Sequence, residues 1–238
     1  MRLTGVGMGP GDPELVTVKA VRVLQEAALV VVPVMSADEV GRAEATVRAH
    51  VTHDRVQRLV FALDDRGGVT PERESAWVAA ADVVADALQD KGSVAFATIG
   101  DPNVYSTFTY LADVVREQLP DVEVDTVPGI TAMQDLAARS GTVLCEGTES
   151  LALLPLTAGI TAFEEALRSF DSVVAYKGGR QMAEVRRVLA LHGRLHTAVF
   201  GAALGLPDEQ IGALPDGPAP YLSTVIAPAP RTGRGSKL

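Results

Sequence analysis

Residues 3–17 read Leu3-Thr-Gly-Val-Gly-Met-Gly-Pro-Gly-Asp-Pro-Glu-Leu-Val-Thr17. Leu3–Met8 has the composition of a short strand, and it runs directly into a glycine-rich turn. The residues after the turn predict a helix starting at Pro13. Proline suits the first helical turn, Asp12 suits the N-cap, and Glu14 faces the positive end of the dipole. Leu15, Val18 and Leu24 give that helix an apolar face. Two phosphate-binding forms of the turn are excluded. A GxGxxG starting at Gly5 needs glycine where Pro10 stands, and one starting at Gly7 needs glycine where Asp12 stands. The second strand ends Val31-Val32-Pro33 with no acid for a ribose hydroxyl, and no GK[ST] follows the glycines.

Outward from this stretch, strand-like and helix-like segments alternate, which predicts an α/β fold with mostly parallel sheets. Leu29–Val32, Val56–Phe61, Ser93–Thr98 and Val122–Val127 read as further strands, and residues 39–50, 71–91, 105–118 and 131–140 as helices. Asp64–Val69 reads as a polar glycine turn. The second half repeats the pattern on a smaller scale. Its strands are Leu151–Leu154, Val173–Tyr176, Thr197–Phe200 and Tyr221–Ile226, and its helices Phe163–Ser169 and Met182–His192. The break at 141–149 divides the chain into two α/β domains, residues 1–142 and 143–238. The proline- and glycine-rich residues after about 228 read as a disordered tail.

The chain has 238 residues, is 47% hydrophobic and carries 30 acidic against 21 basic side chains, a net charge of −9. That balance disfavours nucleic acid, whose phosphates an acidic surface repels. Cys145 is the single cysteine, so there is no internal disulfide and no cysteine-based zinc site. His50, His53, His192 and His196 match no metal-binding motif and read as surface or helix-end residues, so no metal is expected. The longest apolar run, Ala27 to Met35, is too short to span a bilayer, and Met1-Arg2-Leu3 passes straight into a strand without a secretory leader. A cytoplasmic protein with no membrane segment is the expectation. The closing Ser236-Lys237-Leu238 matches a peroxisomal address, a tripeptide that chance supplies easily.

Three strand ends in the first half stop in glycine loops: Gly7 to Asp12, Gly100 to Pro102, and Pro128-Gly129. Ligands of open parallel sheets bind outside the carboxyl ends of the strands, where glycine lets them approach the backbone. Asp12 and Asp101 stand at helix starts beside these loops, where a carboxylate competes for the N–H groups a phosphate would use. Each reads equally well as an N-cap or as a partner for a cationic ligand such as an ammonium or a sulfonium. There is no GxSxG elbow, no cysteine–histidine signature and no dense carboxylate cluster. A reaction that needs alignment more than acid–base groups fits that absence, and methyl transfer from a sulfonium is one.

At these loops the chain resembles the tetrapyrrole methylases. Gly5 to Thr17 follows the family's GxGPGDPELLT opening. Gly100-Asp101-Pro102 with Tyr105-Ser106-Thr107 follows its GDPxxY stretch, and Val127-Pro-Gly-Ile-Thr-Ala132 its VPGITA segment. Tyr176-Lys-Gly-Gly179 and Leu206-Pro-Asp-Glu209 lie where the second domain has comparable motifs. The resemblance implies the two-domain architecture of class III methyltransferases, with S-adenosylmethionine as methyl donor in the interdomain cleft and S-adenosylhomocysteine as product. It places the cofactor against Pro10, Ile99, Gly100, Asp101, Val104, Tyr105, Ser106, Thr131, Ala132, Lys177, Leu204 and Thr224. Asp101 would pair with the methionine part of the cofactor, and Asp101→Asn would weaken binding while leaving the fold stable. Asp12 would be the catalytic residue that assists proton removal.

Within the family, Tyr105 to Leu111, the Glu146-Gly147 turn before Leu151-Ala-Leu-Leu-Pro155, and Lys177 to Arg180 are most similar to members that methylate C20 of precorrin-2 to precorrin-3A in cobalamin biosynthesis. Methylation at another ring position, or of cobalt-precorrin-2, is the alternative. The partner is then a polycarboxylate tetrapyrrole, with Arg42, Arg66, Arg180 and Arg186 as candidate cations. A homodimer is implied. Gly201-Ala-Ala-Leu204 departs from the family pattern at the segment that carries Leu204.

Overall fold

The computed structural model describes residues 1–36, 38, 40–52, 54–61, 70–231 and 233. His53, Arg66, the turn expected at 64–69 and Ser236-Lys237-Leu238 lie outside the described residues. The chain divides into two compact units, Met1–Thr131 and Ala132–Leu238.

The first unit carries strands β1 (Arg2–Gly7), β2 (Leu29–Val34), β3 (Val56–Val60), β4 (Ser93–Thr98) and β5 (Glu123–Val127). Their spatial order is β3-β2-β4-β1-β5, and every pairing is parallel. Helices α1 (Val18–Glu26), α2 (Arg42–His50), α3 (Pro71–Lys91) and α4 (Phe108–Gln118) supply the crossovers. One apolar layer joins α3 and α4 to the sheet through Phe61, Phe96, Phe108 and Leu111; the other joins α1 and α2 through Val6, Leu24, Val30 and Val47. Local signals fix α3 well. Thr70 accepts the Arg73 N–H at 3.2 Å, Pro71 opens the first turn, and Gly92 closes the helix at φ 81°.

The helix expected from Pro13 is interrupted. Pro13–Leu15 is a single 3-10 turn, Val16 is extended, and α1 starts afresh when Thr17 accepts the Ala20 N–H at 3.1 Å. A second N-capping threonine therefore overrides a continuous apolar pattern.

Glu44 of α2 is wholly buried. It accepts Arg58 Nε at 2.7 Å and Arg48 Nε at 2.8 Å. Burial pushes its carboxyl up, but the hydrogen bonds from Arg58 and Arg48 outweigh this and leave it below the ordinary carboxylate range. A depressed value means the carboxylate contributes stability at neutral pH, which is lost as pH falls through the folded-state value. Urea midpoints should therefore drop more steeply on acidification below about pH 4 in the wild type than in Glu44→Gln. Parallel pH profiles would refute this.

The second unit holds α5 (Ala132–Ser140), β6 (Leu151–Pro155), α6 (Ile160–Ser169), β7 (Ser172–Tyr176), α7 (Met182–Leu191), β8 (Val199–Ala202), β9 (Gln210–Gly212) and β10 (Ser223–Ala227). The strand order is β6-β7-β10-β8-β9. Among the described residues only β6–β7 is parallel; β10 runs antiparallel to both β7 and β8, and β9 antiparallel to β8. Parallel pairing prevails among the described strands, but the second half repeats the first only through β6-α6-β7.

The division between units falls before the join expected at 142/143. The reason is α5, whose Leu136 and Ala137 pack with Val174 and Ile226 of the second sheet and with Leu204 in the turn after β8. The chain also stays packed past 228. Ala229 is buried, its N–H donates to Ser172 Oγ at 2.9 Å, and Arg231 pairs with Glu149.

Candidate functional site

In the first unit β1 is followed by β2, two places away across β4, whereas β4 is followed by β5, two places away in the opposite direction. This reversal makes the β4–β1 boundary the topological switch point, where an open parallel sheet leaves a crevice beyond its strand ends. The three glycine loops follow β4, β1 and β5, which are neighbours, so the fold brings them together. Met8 N–H donates to Thr98 O at 2.9 Å, and Gly100 N–H donates to Gly9 O at 2.7 Å.

The glycines there have two different roles. A Cβ on Gly129 would lie 2.1 Å from Gly100 O, and one on Gly7 would lie 2.5 Å from Gly129 N. At these two positions the close approach is loop against loop, not the loop against ligand that the sequence suggested. Gly100 is different. It sits at φ 69° with open space where a Cβ would point.

Asp101 binds the loops together. Its Oδ1 accepts the Asn103 N–H at 2.8 Å and its Oδ2 accepts the Gly129 N–H at 3.0 Å, with the residue nine-tenths buried. The sequence offered either a cap or a ligand partner. The geometry adds a third role, a tie to a residue 28 positions away. Asp12 is a local cap, its Oδ1 accepting the Glu14 N–H at 2.9 Å. The residues on either side of it lean on α2, where Thr46 Oγ1 donates to Gly11 O at 3.3 Å and His50 Nε2 lies 2.8 Å from Pro13 O.

Pro10 and Thr131 are buried; Ile99, Val104 and Ser106 are half-buried. Ser106 Oγ donates to Thr98 Oγ1 at 3.0 Å and accepts the Phe108 N–H at 3.1 Å, so it satisfies the first N–H of α4 from just before the Thr107 N-cap position. Tyr105, which the sequence placed inside that helix, precedes it at φ 52° with an exposed ring. Partial desolvation pushes its phenol up, so it stays protonated at neutral pH.

In the second unit the flagged residues meet at one end of the sheet. Thr224 of β10 pairs with Tyr176 on one side and Gly201 on the other. Lys177 follows Tyr176 at φ 61°, its N–H donates to Ser223 O at 3.1 Å, and its Nζ lies 6.0 Å from the Tyr221 ring centroid. Ala132 begins α5, and Tyr176 Oη accepts the Met133 N–H at 2.9 Å. Leu204 is buried beside Ala203, which has φ 52°.

Tyr105, Lys177 and Ala203 are the non-glycine residues with positive φ among those described. Such strain persists where surrounding structure enforces it, and it concentrates at functional sites. All three fall in or beside the flagged segments. Sequence could not reveal the strain, because none of these residues favours the left-handed region.

The candidate cations differ. Arg186 is engaged with Leu214 O and Asp216, whereas Arg180 is exposed and Arg42 starts α2. Among the described residues no three His, Cys, Asp or Glu side chains form a metal-binding group, and no helix is long and apolar enough to cross a membrane.

The family Tetrapyrrole (Corrin/Porphyrin) Methylases matches residues 2–215. The precorrin-2 C(20)-methyltransferase of Sinorhizobium sp. is 34% identical over 236 residues, covering 95% of each chain. The cobalt-precorrin-2 C(20)-methyltransferase of Salmonella typhimurium is 29% identical over 94% of this chain and 95% of its own. In fold, the chain is similar to the uroporphyrin-III C-methyltransferase of Thermus thermophilus solved with S-adenosylhomocysteine. That likeness has a TM-score of 0.63 and 22% identity, and covers 95% of this chain and 97% of that one. The chain belongs to the tetrapyrrole (corrin/porphyrin) methylases.

Proposed function

We propose that the protein transfers a methyl group from S-adenosylmethionine to C20 of precorrin-2, giving precorrin-3A and S-adenosylhomocysteine, as a cytoplasmic homodimer in cobalamin biosynthesis. The observation that carries this reading is the set of loops joined by Asp101, together with full-length similarity to C20-methyltransferases.

The residues present fit a methyl donor. None of the segments 7–12, 99–107 and 128–131 contains lysine or arginine, and Asp101 lies among them. A cationic ligand is favoured there, and a pyrophosphate is not. When bound, S-adenosylmethionine supplies an electrophilic methyl on a positively charged sulfur, which leaves as a neutral thioether.

This chain's own work is alignment. Asp101 fixes the Gly129 N–H and its own turn, and the open Gly100 backbone lets the donor approach. Pro10, Ile99, Val104, Tyr105, Ser106 and Thr131 would border the donor. Ala132, Lys177, Leu204 and Thr224 would be its further contacts. Asp12, committed to Glu14 N–H through one oxygen, retains the other to take the proton that C20 releases. Arg42 and Arg180 are the candidate partners for substrate carboxylates.

The similarity to the Salmonella typhimurium enzyme supports a second reading in which the substrate already holds cobalt. Incubating the protein with isotope-labelled S-adenosylmethionine and either precorrin-2 or cobalt-precorrin-2 separates the two. Label at C20 of one product identifies the substrate; label in neither refutes both.

Asp101→Asn tests the site directly. Asparagine has one acceptor oxygen where two N–H groups need partners, so about 1–3 kcal/mol of stability should go along with about tenfold in S-adenosylhomocysteine affinity. This revises the expectation of a stable fold. Calorimetry and urea unfolding measure both quantities, and unchanged affinity would remove Asp101 from the site.

A further inference from the structure

The turn that holds Leu204 is stabilised from outside itself. Ala203 stands at φ 52° and Gly205 at φ 73°, with the buried Leu204 between them. Leu206 N–H donates to Ala203 O at 3.0 Å and Glu209 N–H donates to Leu206 O at 3.1 Å, giving two successive turns. Glu209 then folds back, its Oε2 accepting the Gly205 N–H at 2.7 Å.

Arg139, in the last turn of α5, grips the same carboxylate. One guanidinium nitrogen donates to Glu209 Oε1 at 2.6 Å and a second to Oε2. A bidentate pair of this kind fixes orientation as well as charge. Asp135, one turn earlier and buried, lies 3.8 Å from the same guanidinium. Burial pushes the Glu209 carboxyl up, and the Gly205 N–H and Arg139 outweigh it, so it stays ionised at neutral pH.

The other end of α5 is anchored to the second strained turn, through the Met133 N–H on Tyr176 Oη next to Lys177. Between the two anchors, Leu136 fills the space over Gly201, 2.7 Å from where a Cβ would stand. One helix thus braces the two turns of this unit that, among the described residues, hold a non-glycine residue at positive φ, Lys177 and Ala203.

We propose that Arg139 and Glu209 are positioning residues for the methyl donor. Together they hold the Ala203–Gly205 backbone in its strained form, so that the Leu204 backbone is presented to the cofactor, and neither residue touches the cofactor itself. The inference rests on the reading that Leu204 borders the donor, and it assigns the reason this turn keeps its shape.

The test is isothermal calorimetry of the full chain with S-adenosylhomocysteine, paired with thermal unfolding by circular dichroism. Glu209→Ala and Arg139→Ala should each weaken binding about tenfold. Glu209→Gln keeps an acceptor for Gly205 N–H and loses the ion pair, and should weaken binding about threefold. If Glu209→Ala does not fold, Glu209→Gln and Arg139→Ala decide. Affinities within about twofold of wild type, even with a lowered melting temperature, would reduce the pair to a structural role and overturn the inference while leaving the methyl-donor reading intact. A wild-type protein that does not bind S-adenosylhomocysteine would overturn that reading, and this inference with it.

Discussion

Gly129→Ala is expected to abolish measurable S-adenosylhomocysteine binding and to destabilise the first unit by about 3–5 kcal/mol. The new methyl would stand 2.1 Å from Gly100 O, 2.8 Å from Gly7 Cα and 2.9 Å from Gly7 C. Every one of these atoms is backbone, so no rotamer change relieves the collision. The loops after β5, β4 and β1 must move apart, and Asp101 Oδ2 then loses the Gly129 N–H that it holds at 3.0 Å. A displacement of about an ångström at an alignment site can cost about a hundredfold. Gly217→Ala is the control, since a Cβ there meets nothing within 4 Å; it should change stability by no more than about 0.5 kcal/mol. Calorimetry and urea unfolding of the two variants give the comparison. A Gly129→Ala protein with near-normal affinity would mean that these loops do not form the donor site.

Part of the site was legible in sequence. Gly7, Gly100 and Gly129 mark strand ends because glycine at the close of an apolar run is a local signal, and the strand Ser93–Thr98 was legible for the same reason. The consequence of each glycine was not local. Gly129 needs its missing Cβ because of Gly100 and Gly7, and only the β4-β1-β5 order reveals that. Asp101 behaves likewise. Its place in the glycine loop after β4 can be read directly, but the helix expected to start beside it begins only at Phe108, and its bond to Gly129 depends on two strand ends becoming neighbours.

The second unit was harder to read, for a related reason. Val173–Tyr176 and the strand near 223–227 are plainly apolar, but nothing in either fixes direction of pairing. Placement of β10 between β7 and β8 is a long-range outcome. The assignment of α5 to this unit depends on Leu136 meeting Leu204 and Ile226. Its helical period was visible, but its partner was not. The break at 141–149 is the strongest composition change nearby, and the boundary set by packing comes earlier.

The second large effect is expected at Arg194, a residue that sequence gave no reason to notice. Arg194→Met should cost about 3–5 kcal/mol of stability. The side chain is buried, and one guanidinium nitrogen shares its two N–H bonds among Asp171 O at 2.6 Å, Ala227 O at 2.6 Å and Pro228 O at 2.7 Å. Desolvation lowers its pKa, partly offset by Asp171, but a guanidinium keeps its proton regardless. Two effects of the substitution oppose each other. Removing a buried charge is favourable, and the buried Nε, which has no hydrogen-bond partner among the described residues, is removed with it. Against that, three carbonyls lose their donor where water does not reach easily, at about 1–3 kcal/mol each. The second effect outweighs the first because methionine offers nothing to accept from. Arg194→Lys should fall between the two, since an ammonium can still donate but from a shorter stem. These contacts lie where β10 ends beside the start of β7, at the opposite end of the sheet from Tyr176 and Lys177. Cofactor affinity of the folded variant should therefore stay within about twofold of wild type. Gly129→Ala should lose both affinity and stability, and Arg194→Met stability alone. Urea unfolding that shows Arg194→Met within about 1 kcal/mol of wild type would mean that these carbonyls find water instead, and that the guanidinium is dispensable.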